Sequence, residues 1–278
     1  NKGYHIVDSP DVMTKEELAS LMNTRWAGRN ILYYDVTDST NLRIKQAGDE
    51  GAPHGTLAVA DRQTAGRGRR GRTWESPAGS SIYMSILLRP EIAPNKASML
   101  TLVMALNVVE GIQECIGNDR DIQIKWPNDI IINGKKLAGI LTEMSSQIDY
   151  INHVTVGVGI NVNTTDFPEE IAQTATSLRI ECGHTVKRAP LIAAVMERLE
   201  ENYETFLETE DLSGLLDRYN ALLVNCDRDV QIIGAKETYQ AHAIGIDHTG
   251  ELIVRREDGS IEKINAGEVS VRGVYGYT

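Results

Sequence analysis

The dipeptide Asn133-Gly134, set between the apolar run Ile130–Ile132 and the stretch Lys135–Met144, constrains this chain more than any other short feature. Asparagine and glycine tolerate the left-handed backbone of a two-residue turn, so the flanking runs read as strands joined in a hairpin. Strand-like runs recur on both sides of it: Ile31–Val36, Thr56–Asp61, Ile122–Lys125 and Val154–Val162. Ser81–Leu88 alternates, with Ile82, Met84, Ile86 and Leu88 on one face, which predicts a half-buried strand. Pro94–Ile116 has helical periodicity behind an N-terminal proline and is expected to pack across the sheet. Ser39 and Thr40 read as caps of a short helix through about Gly48. Pro190–Leu207 and Leu212–Val224 read as helices, with Leu191, Val195, Leu199, Tyr203 and Phe206 turned inward.

After Asn225 the texture changes. Val230–Ile233, Tyr239–Ile246, Leu252–Arg255 and Ile261–Ile264 are short strand-like runs with turns at Gly234, Gly250 and Gly259, which suggests a separate small β-barrel. The fold class expected is α+β: a mixed β-sheet with packed helices, then an SH3-like β-barrel. The expected division is a linker over 1–30, a main domain over 31–225 and the small module over 226–278.

Composition narrows the function. With 278 residues, 41% of them hydrophobic, the chain can bury one large core plus a smaller module. No apolar run approaches the roughly 18 residues of a membrane helix, and the start has no apolar signal core, so a soluble, cytoplasmic protein is expected. Cys115, Cys182 and Cys226 are few and far apart, which argues against a disulfide framework or zinc site. The six histidines show no pair at metal-ligand spacing. A formal charge of −11 makes a generic nucleic-acid binder a poor expectation, so the basic cluster Arg67–Arg72 calls for a local explanation.

Three segments carry chemistry. In Gly66-Arg67-Gly68-Arg69-Arg70-Gly71-Arg72-Thr73-Trp74, glycines free the backbone to wrap closely and guanidiniums offer paired donors to carboxylate or phosphate. A solvated basic loop is the plain alternative; the interleaved glycines and acidic remainder favour a small anionic ligand. In Lys125-Trp126-Pro127-Asn128-Asp129 and Lys136-Leu137-Ala138-Gly139-Ile140-Leu141, two lysines flank a hairpin and Asp129 adds a carboxylate suited to Mg²⁺. Separately, those lysines would read as surface charge. In Val154–Asn161, valines and Ile160 form a core face, while Thr155, Gly157, Gly159 and Asn161 form the other. Glycines two apart on one strand face imply a close approach, either by another backbone or by a ligand tail.

These segments, in this order and spacing, resemble the bacterial biotin–protein ligase family, and the match runs from about Ile31 to the C-terminus. The resemblance implies a class II synthetase-like biotin ligase catalytic domain capped by an SH3-like barrel. It implies biotin and ATP as substrates with Mg²⁺, and a biotin carboxyl carrier protein domain of a biotin-dependent carboxylase as acceptor. Carried over by position, Ser39, Thr40, Asn41 and Gln63 resemble the polar contacts to the ureido ring. Gly66, Arg67, Gly68 and Arg69 resemble the loop over biotin and its activated carboxyl group. Tyr83, Gly139, Leu141, Gly157 and Gly159 resemble pocket walls, and Lys136 the lysine that contacts the biotin carboxylate and then the phosphate. Arg69, Arg72, Trp74, Lys125, Asn128 and Asn161 resemble the ATP side, with Asp129 as the Mg²⁺ ligand. Arg67, Arg69, Lys125 and Lys136 are the expected catalytic residues.

Lys2-Gly3-Tyr4-His5-Ile6 resembles the last strand of the winged-helix DNA-binding domain of family repressors, so 1–30 is expected to hold its remnant. A homodimer is one expected assembly, whereas DNA binding and biotin-responsive repression are expected only of a form that carries the rest of that domain. No membrane partner is expected. The reaction implied is formation of biotinyl-5′-AMP followed by transfer to a lysine. No Gly-x-Ser-x-Gly elbow or Cys/His pair offers a protein nucleophile. A lipoate or octanoate ligase or transferase of the same general fold is the alternative. A plain nucleotide-binding module is disfavoured by the lack of a P-loop.

Overall fold

The computed structural model describes residues 10–234, 237–266 and 270–273 of the chain; the Lys2–Ile6 likeness lies outside them. The chain runs α1 (Lys15–Leu21), β1 (Ile31–Thr37), α2 (Thr40–Asp49), β2 (Leu57–Gln63), β3 (Ile82–Leu88), α3 (Met99–Ile116), β4 (Ile122–Lys125) and β5 (Asp129–Ile132). It continues through β6 (Lys135–Ser146), β7 (Ile151–Ile160), α4 (Leu178–Cys182), α5 (Arg188–Thr209) and α6 (Leu216–Leu222). The last five strands are β8 (Arg228–Ile233), β9 (Thr238–Ile246), β10 (Leu252–Arg255), β11 (Ile261–Ile264) and β12 (Ser270–Gly273).

Seven strands form one sheet in the order β1-β2-β3-β7-β6-β5-β4, and the last five form a second, β11-β10-β9-β8-β12. β1 and β2 pair in parallel and the other neighbours antiparallel, which makes the main sheet mixed. The second sheet is antiparallel throughout. Asn133 and Gly134 adopt φ of 49° and 73°, the left-handed pair that closes a tight hairpin between β5 and β6.

β3 corrects one expectation. It is buried along its whole length rather than on one face. It lies between β2 and β7; Met84 and Ile86 belong to the main core cluster with residues of α3 and α5, while Leu87 clusters with Ile44 of α2. A strand covered on both faces reads as a near-continuous apolar run, and Ser85, the buried polar exception in β3, is bonded to residues of α2. The helix expected to begin at Pro94 begins instead with a 3₁₀ turn, Pro94–Lys96, followed by α3. Pro94–Ile116, 23 residues long, contains an 18-residue window of mean hydropathy 1.4, long and apolar enough by composition to cross a membrane although Asn107, Glu110, Gln113 and Glu114 interrupt it. Of its most apolar window 67% is buried inside the fold, so its apolar surface is taken up by packing.

Residues 10–30 are more than a connector. Thr14 caps α1 by accepting a hydrogen bond from the Glu17 backbone at 3.3 Å, and Met13, Leu18 and Met22 enter the main core. The Thr14-x-x-Glu17 spacing is the capping-box signature that marks such a start.

Candidate active site

The 66–74 segment folds as a small hairpin of its own. Trp74 N–H donates to the Gly66 carbonyl at 3.0 Å and Gly68 N–H to the Arg72 carbonyl at 2.7 Å. Arg70 and Gly71, with φ of 57° and 73°, form its tip. A methyl group on Gly66 would collide with the Trp74 carbonyl, so this glycine serves the hairpin's close return. The hairpin lies over the glycine-rich face of β6 and β7, where Gly139 pairs with Gly159 and Leu141 with Gly157.

What approaches those strand glycines is not another backbone. A methyl group on Gly159 would sit 2.5 Å from the Trp74 ring, and one on Gly139 2.9 Å from it. One on Gly157 would collide with the Asn41 amide oxygen. The glycines therefore admit two of the protein's own side chains, one from the hairpin and one from α2.

Between hairpin and sheet is a cavity of about 50 Å³. Ser39, Thr40, Asn41, Gln63, Arg67, Gly68, Arg69, Asn128, Lys136, Gly139, Leu141, Gly157 and Gly159 line it, with Trp74, Met84, Ile140 and Val158. Sites for small molecules run from roughly 300 Å³ upward. The cavity is thus small for a cofactor-sized guest, with Arg67, Gly68, Arg69 and Trp74 of the hairpin as its lid.

The polar residues of the floor are bonded to one another. The Thr40 backbone N–H and hydroxyl both donate to Gln63 Oε1, at 2.8 and 3.1 Å. Gln63 Nε2 donates to Ser76 Oγ at 3.0 Å, and Ser76 donates to the Trp74 carbonyl at 2.9 Å. The buried Ser85 hydroxyl lies 2.6 Å from Asn41 Oδ1, to which it donates, and 2.8 Å from Thr40 Oγ1. Ser39 holds the N-cap position of α2 without a capping bond, which leaves its hydroxyl to the cavity wall.

Beyond the hairpin lies a larger recess of about 1260 Å³, lined among others by Arg72, Trp74, Lys125, Asp129, Lys136 and Asn161. Arg62 and, from the second sheet, Arg272 add cationic lining. Lys136 and Trp74 belong to both cavities. Lys136 Nζ pairs with Asp129 Oδ1 at 2.7 Å and stands 5.3 Å from the centre of the Trp74 ring, within cation–π range. The Trp74 indole N–H is buried and finds no acceptor among the described residues. A buried donor in a cavity wall is where a ligand oxygen would be stabilised. Lys125 is only 9% exposed, and burial, reinforced by Lys136, Arg272 and Arg72, brings its ammonium down to about 8 against the pull of Asp129. Arg69 is also lowered, by burial first and then by Arg70 and Arg72. Its guanidinium donates to Asn128 Oδ1 at 2.8 Å and to the Ala266 carbonyl of the second sheet's module at 2.6 Å.

Two expected pocket residues stand apart. Tyr83 lines neither cavity, because its hydroxyl donates to the Pro77 carbonyl at 3.0 Å and ties the ring beneath the segment after the hairpin. Gly66 lies behind the lining, against Trp74 and Ser76. Asn128, expected on the ATP side, lines the smaller cavity with Arg69. Sequence reasoning passed over Ser85 and Glu143. Glu143 shares a strand face with Gly139 and Leu141 by simple alternation, which was the available signal.

A cavity with a hydroxyl- and amide-rich floor thus meets, at Lys136, a recess rich in arginine and lysine. Residues 33–161 match the biotin/lipoate A/B protein ligase family, and residues 225–272 match the biotin protein ligase C terminal domain. The bifunctional ligase/repressor BirA of Bacillus subtilis is 37% identical over 272 residues, covering 97% of this chain and 82% of its own. The biotin–[acetyl-CoA-carboxylase] ligase of Paracoccus denitrificans is 34% identical over 246 residues, covering 85% of this chain and 98% of its own. Among solved structures, the biotin protein ligase from Aquifex aeolicus in complex with biotin and ATP superposes with a TM-score of 0.78 at 32% identity. It covers 88% of this chain and 99% of its own. The chain belongs to the biotin protein ligase family.

Proposed function

We propose that this chain activates biotin with ATP and transfers it to a lysine of a biotin carboxyl carrier protein domain. The observation that carries the reading is Lys136, which lines both cavities and is held by Asp129 and Trp74 where they meet. A carboxylate in the smaller cavity and a triphosphate in the recess would face each other across that ammonium. A biotin oxygen attacks the α-phosphorus, the bond to the bridging oxygen of the β-phosphate breaks, and pyrophosphate leaves. The acceptor amine then attacks the acyl carbon of biotinyl-5′-AMP, loses a proton and expels AMP. Arg67, Arg69, Lys125 and Lys136 offset charge that would otherwise keep the two anions apart, so catalysis rests on positioning and charge stabilisation.

Ser39, Thr40, Asn41 and Gln63 are the ring contacts in this reading, and Arg72, Trp74, Asn128 and Asn161 serve the nucleotide. Mg²⁺ would supply charge neutralisation at the phosphates. Asp129 offers it one carboxylate, whose Oδ1 already receives Lys136 and, at 3.1 Å, the Asn128 amide. No group of three metal-ligating side chains occurs among the described residues. That donor set suits an ion carried mainly by nucleotide phosphates, the usual arrangement for Mg²⁺.

The test is biotin-dependent exchange of pyrophosphate into ATP, with lipoate and octanoate as controls, followed by transfer to a carrier domain. Exchange with biotin alone is expected; exchange with lipoate or octanoate but not biotin would assign the chain to the other branch of its class. The relatives named bifunctional ligase/repressor favour a second role, a biotin-responsive homodimer on DNA. Sedimentation with and without biotinyl-5′-AMP tests its dimeric half. The free thiols of Cys115, Cys182 and Cys226 agree with a cytoplasmic setting.

A further inference from the structure

Glu143 lies outside the lining of the smaller cavity, yet two of the lining residues converge on it. Asn41 Nδ2 donates to one carboxylate oxygen at 2.8 Å. Arg67 Nη1 reaches the other at 3.4 Å. Asn41 comes from α2, at the floor; Arg67 comes from the hairpin, at the lid. Glu143 itself is on β6, in the rigid sheet between them.

The Asn41 amide is fixed from both ends. Its oxygen receives the Ser85 hydroxyl at 2.6 Å, and its nitrogen gives its hydrogens to Glu143 and, at 3.3 Å, to the Leu141 carbonyl. An amide is nearly symmetric in shape, so only its partners decide which end faces which way. A hydroxyl can serve either end. A carboxylate accepts only, and therefore admits the nitrogen alone. The oxygen is then directed to the space that a side chain on Gly157 would have closed.

We propose that Glu143 is a positioning residue that couples the floor of the ring cavity to its lid. One carboxylate oxygen orients the Asn41 amide and the other tethers Arg67 of the hairpin. This inference rests on the reading of the cavity as the biotin site. Arg67 and Glu143 have side chains 48% and 36% exposed, and pairs so wetted contribute little to stability. The contact therefore acts on the position of the lid, not on the survival of the fold.

The experiment compares wild type, Glu143→Ala and Glu143→Gln by biotin titration, ATP titration, off-rate of preformed biotinyl-5′-AMP and thermal melting. Losing a hydrogen bond to a charged group corresponds to about 10- to 100-fold in affinity. Glu143→Ala should weaken biotin by that factor and speed adenylate release, with ATP affinity and melting temperature near wild type. Glu143→Gln should separate the two functions. Its amide oxygen still accepts from Asn41, so biotin affinity stays within about threefold of wild type. Its amide nitrogen turns a donor toward Arg67, so adenylate release is as fast as in the alanine variant. Unchanged biotin affinity and off-rate in Glu143→Ala would overturn the proposal. So would parallel losses of biotin affinity, ATP affinity and melting temperature, which would mark Glu143 as only a structural residue. Failure of wild type to exchange pyrophosphate with biotin would strike the activity itself, a result that the variants could not mimic.

Discussion

The two cavities on either side of Lys136 are built on different principles. The smaller has a floor of neutral donors and acceptors that already satisfy one another, Thr40 with Gln63, Gln63 with Ser76, Ser85 with Asn41, beneath Arg67 and Arg69 of the hairpin. The larger gathers five cations, Arg62, Arg72, Lys125, Lys136 and Arg272, with the carboxylates of Glu75, Asp129, Asp166 and Glu170 also in its lining. A neutral network holds its geometry without a guest and selects by the placement of donors and acceptors. A cluster of like charges raises its own energy until an anion enters, and selects by charge. Burial deepens that cost, as the lowered Lys125 shows. The wall between them must then serve both, and Gln63, Trp74 and Lys136 are its shared members, Lys136 alone among them charged.

The largest expected effect comes from removing that wall's charge. Lys136→Ala should lower the rate of adenylate formation by about 10²–10³-fold, the usual cost of one donor where negative charge develops. Pyrophosphate exchange at saturating biotin and ATP measures it. A rate within a few-fold of wild type would mean that the cavities are only neighbours and that Lys136 does not join them.

Much of this division was legible in the sequence and part was not. The Asn133-Gly134 hairpin and the small C-terminal module were readable because turn chemistry and strand alternation are local. The family resemblance likewise pointed to Ser39, Thr40, Asn41, Gln63, Arg67, Arg69, Lys136 and the strand glycines, all of which line one cavity. Tyr83 escaped, since alternation gives its face of β3 but not the Pro77 carbonyl that draws the ring away. The second face of β3 escaped for a related reason: its cover is α2, a partner remote in sequence. Ala266 could not have been found at all, because its contribution to Arg69 is a backbone carbonyl, which no residue type announces.

The lid offers the next test of the contrast. Arg69 is anchored by Asn128 from the main sheet and by Ala266 from the second module, so it spans both bodies of the protein while lining the smaller cavity. Arg69→Ser removes the span and leaves the neutral floor intact. Release of biotinyl-5′-AMP should quicken by roughly 10- to 100-fold, the range for a lost charged hydrogen bond. Nearby lysines on bystander proteins should then become labelled. Equal off-rates for wild type and Arg69→Ser would show the arginine hairpin to be a solvated basic loop, and the smaller cavity to retain its guest by the floor alone.

The smallest effect separates the cavities by pH. A lysine is charged below its pKa and neutral above it, and Lys125, at about 8, loses its charge within the working range. Between pH 7 and pH 9 the charged fraction of such a group falls about tenfold. If that charge serves the triphosphate, kcat/KM for ATP in pyrophosphate exchange should decline by about that factor with an inflection near 8, because this parameter reports the free enzyme. Bound triphosphate favours the ammonium, so the inflection in kcat should move to higher pH. Biotin affinity should not share the lower inflection, since Lys125 lines only the recess. Lys125→Arg keeps its charge throughout and should flatten the ATP profile, whatever it costs in absolute rate. A decline that persists in Lys125→Arg would assign the titration to another group. A biotin profile that falls in step with ATP would mean that the two cavities do not divide their labour between neutral and charged recognition.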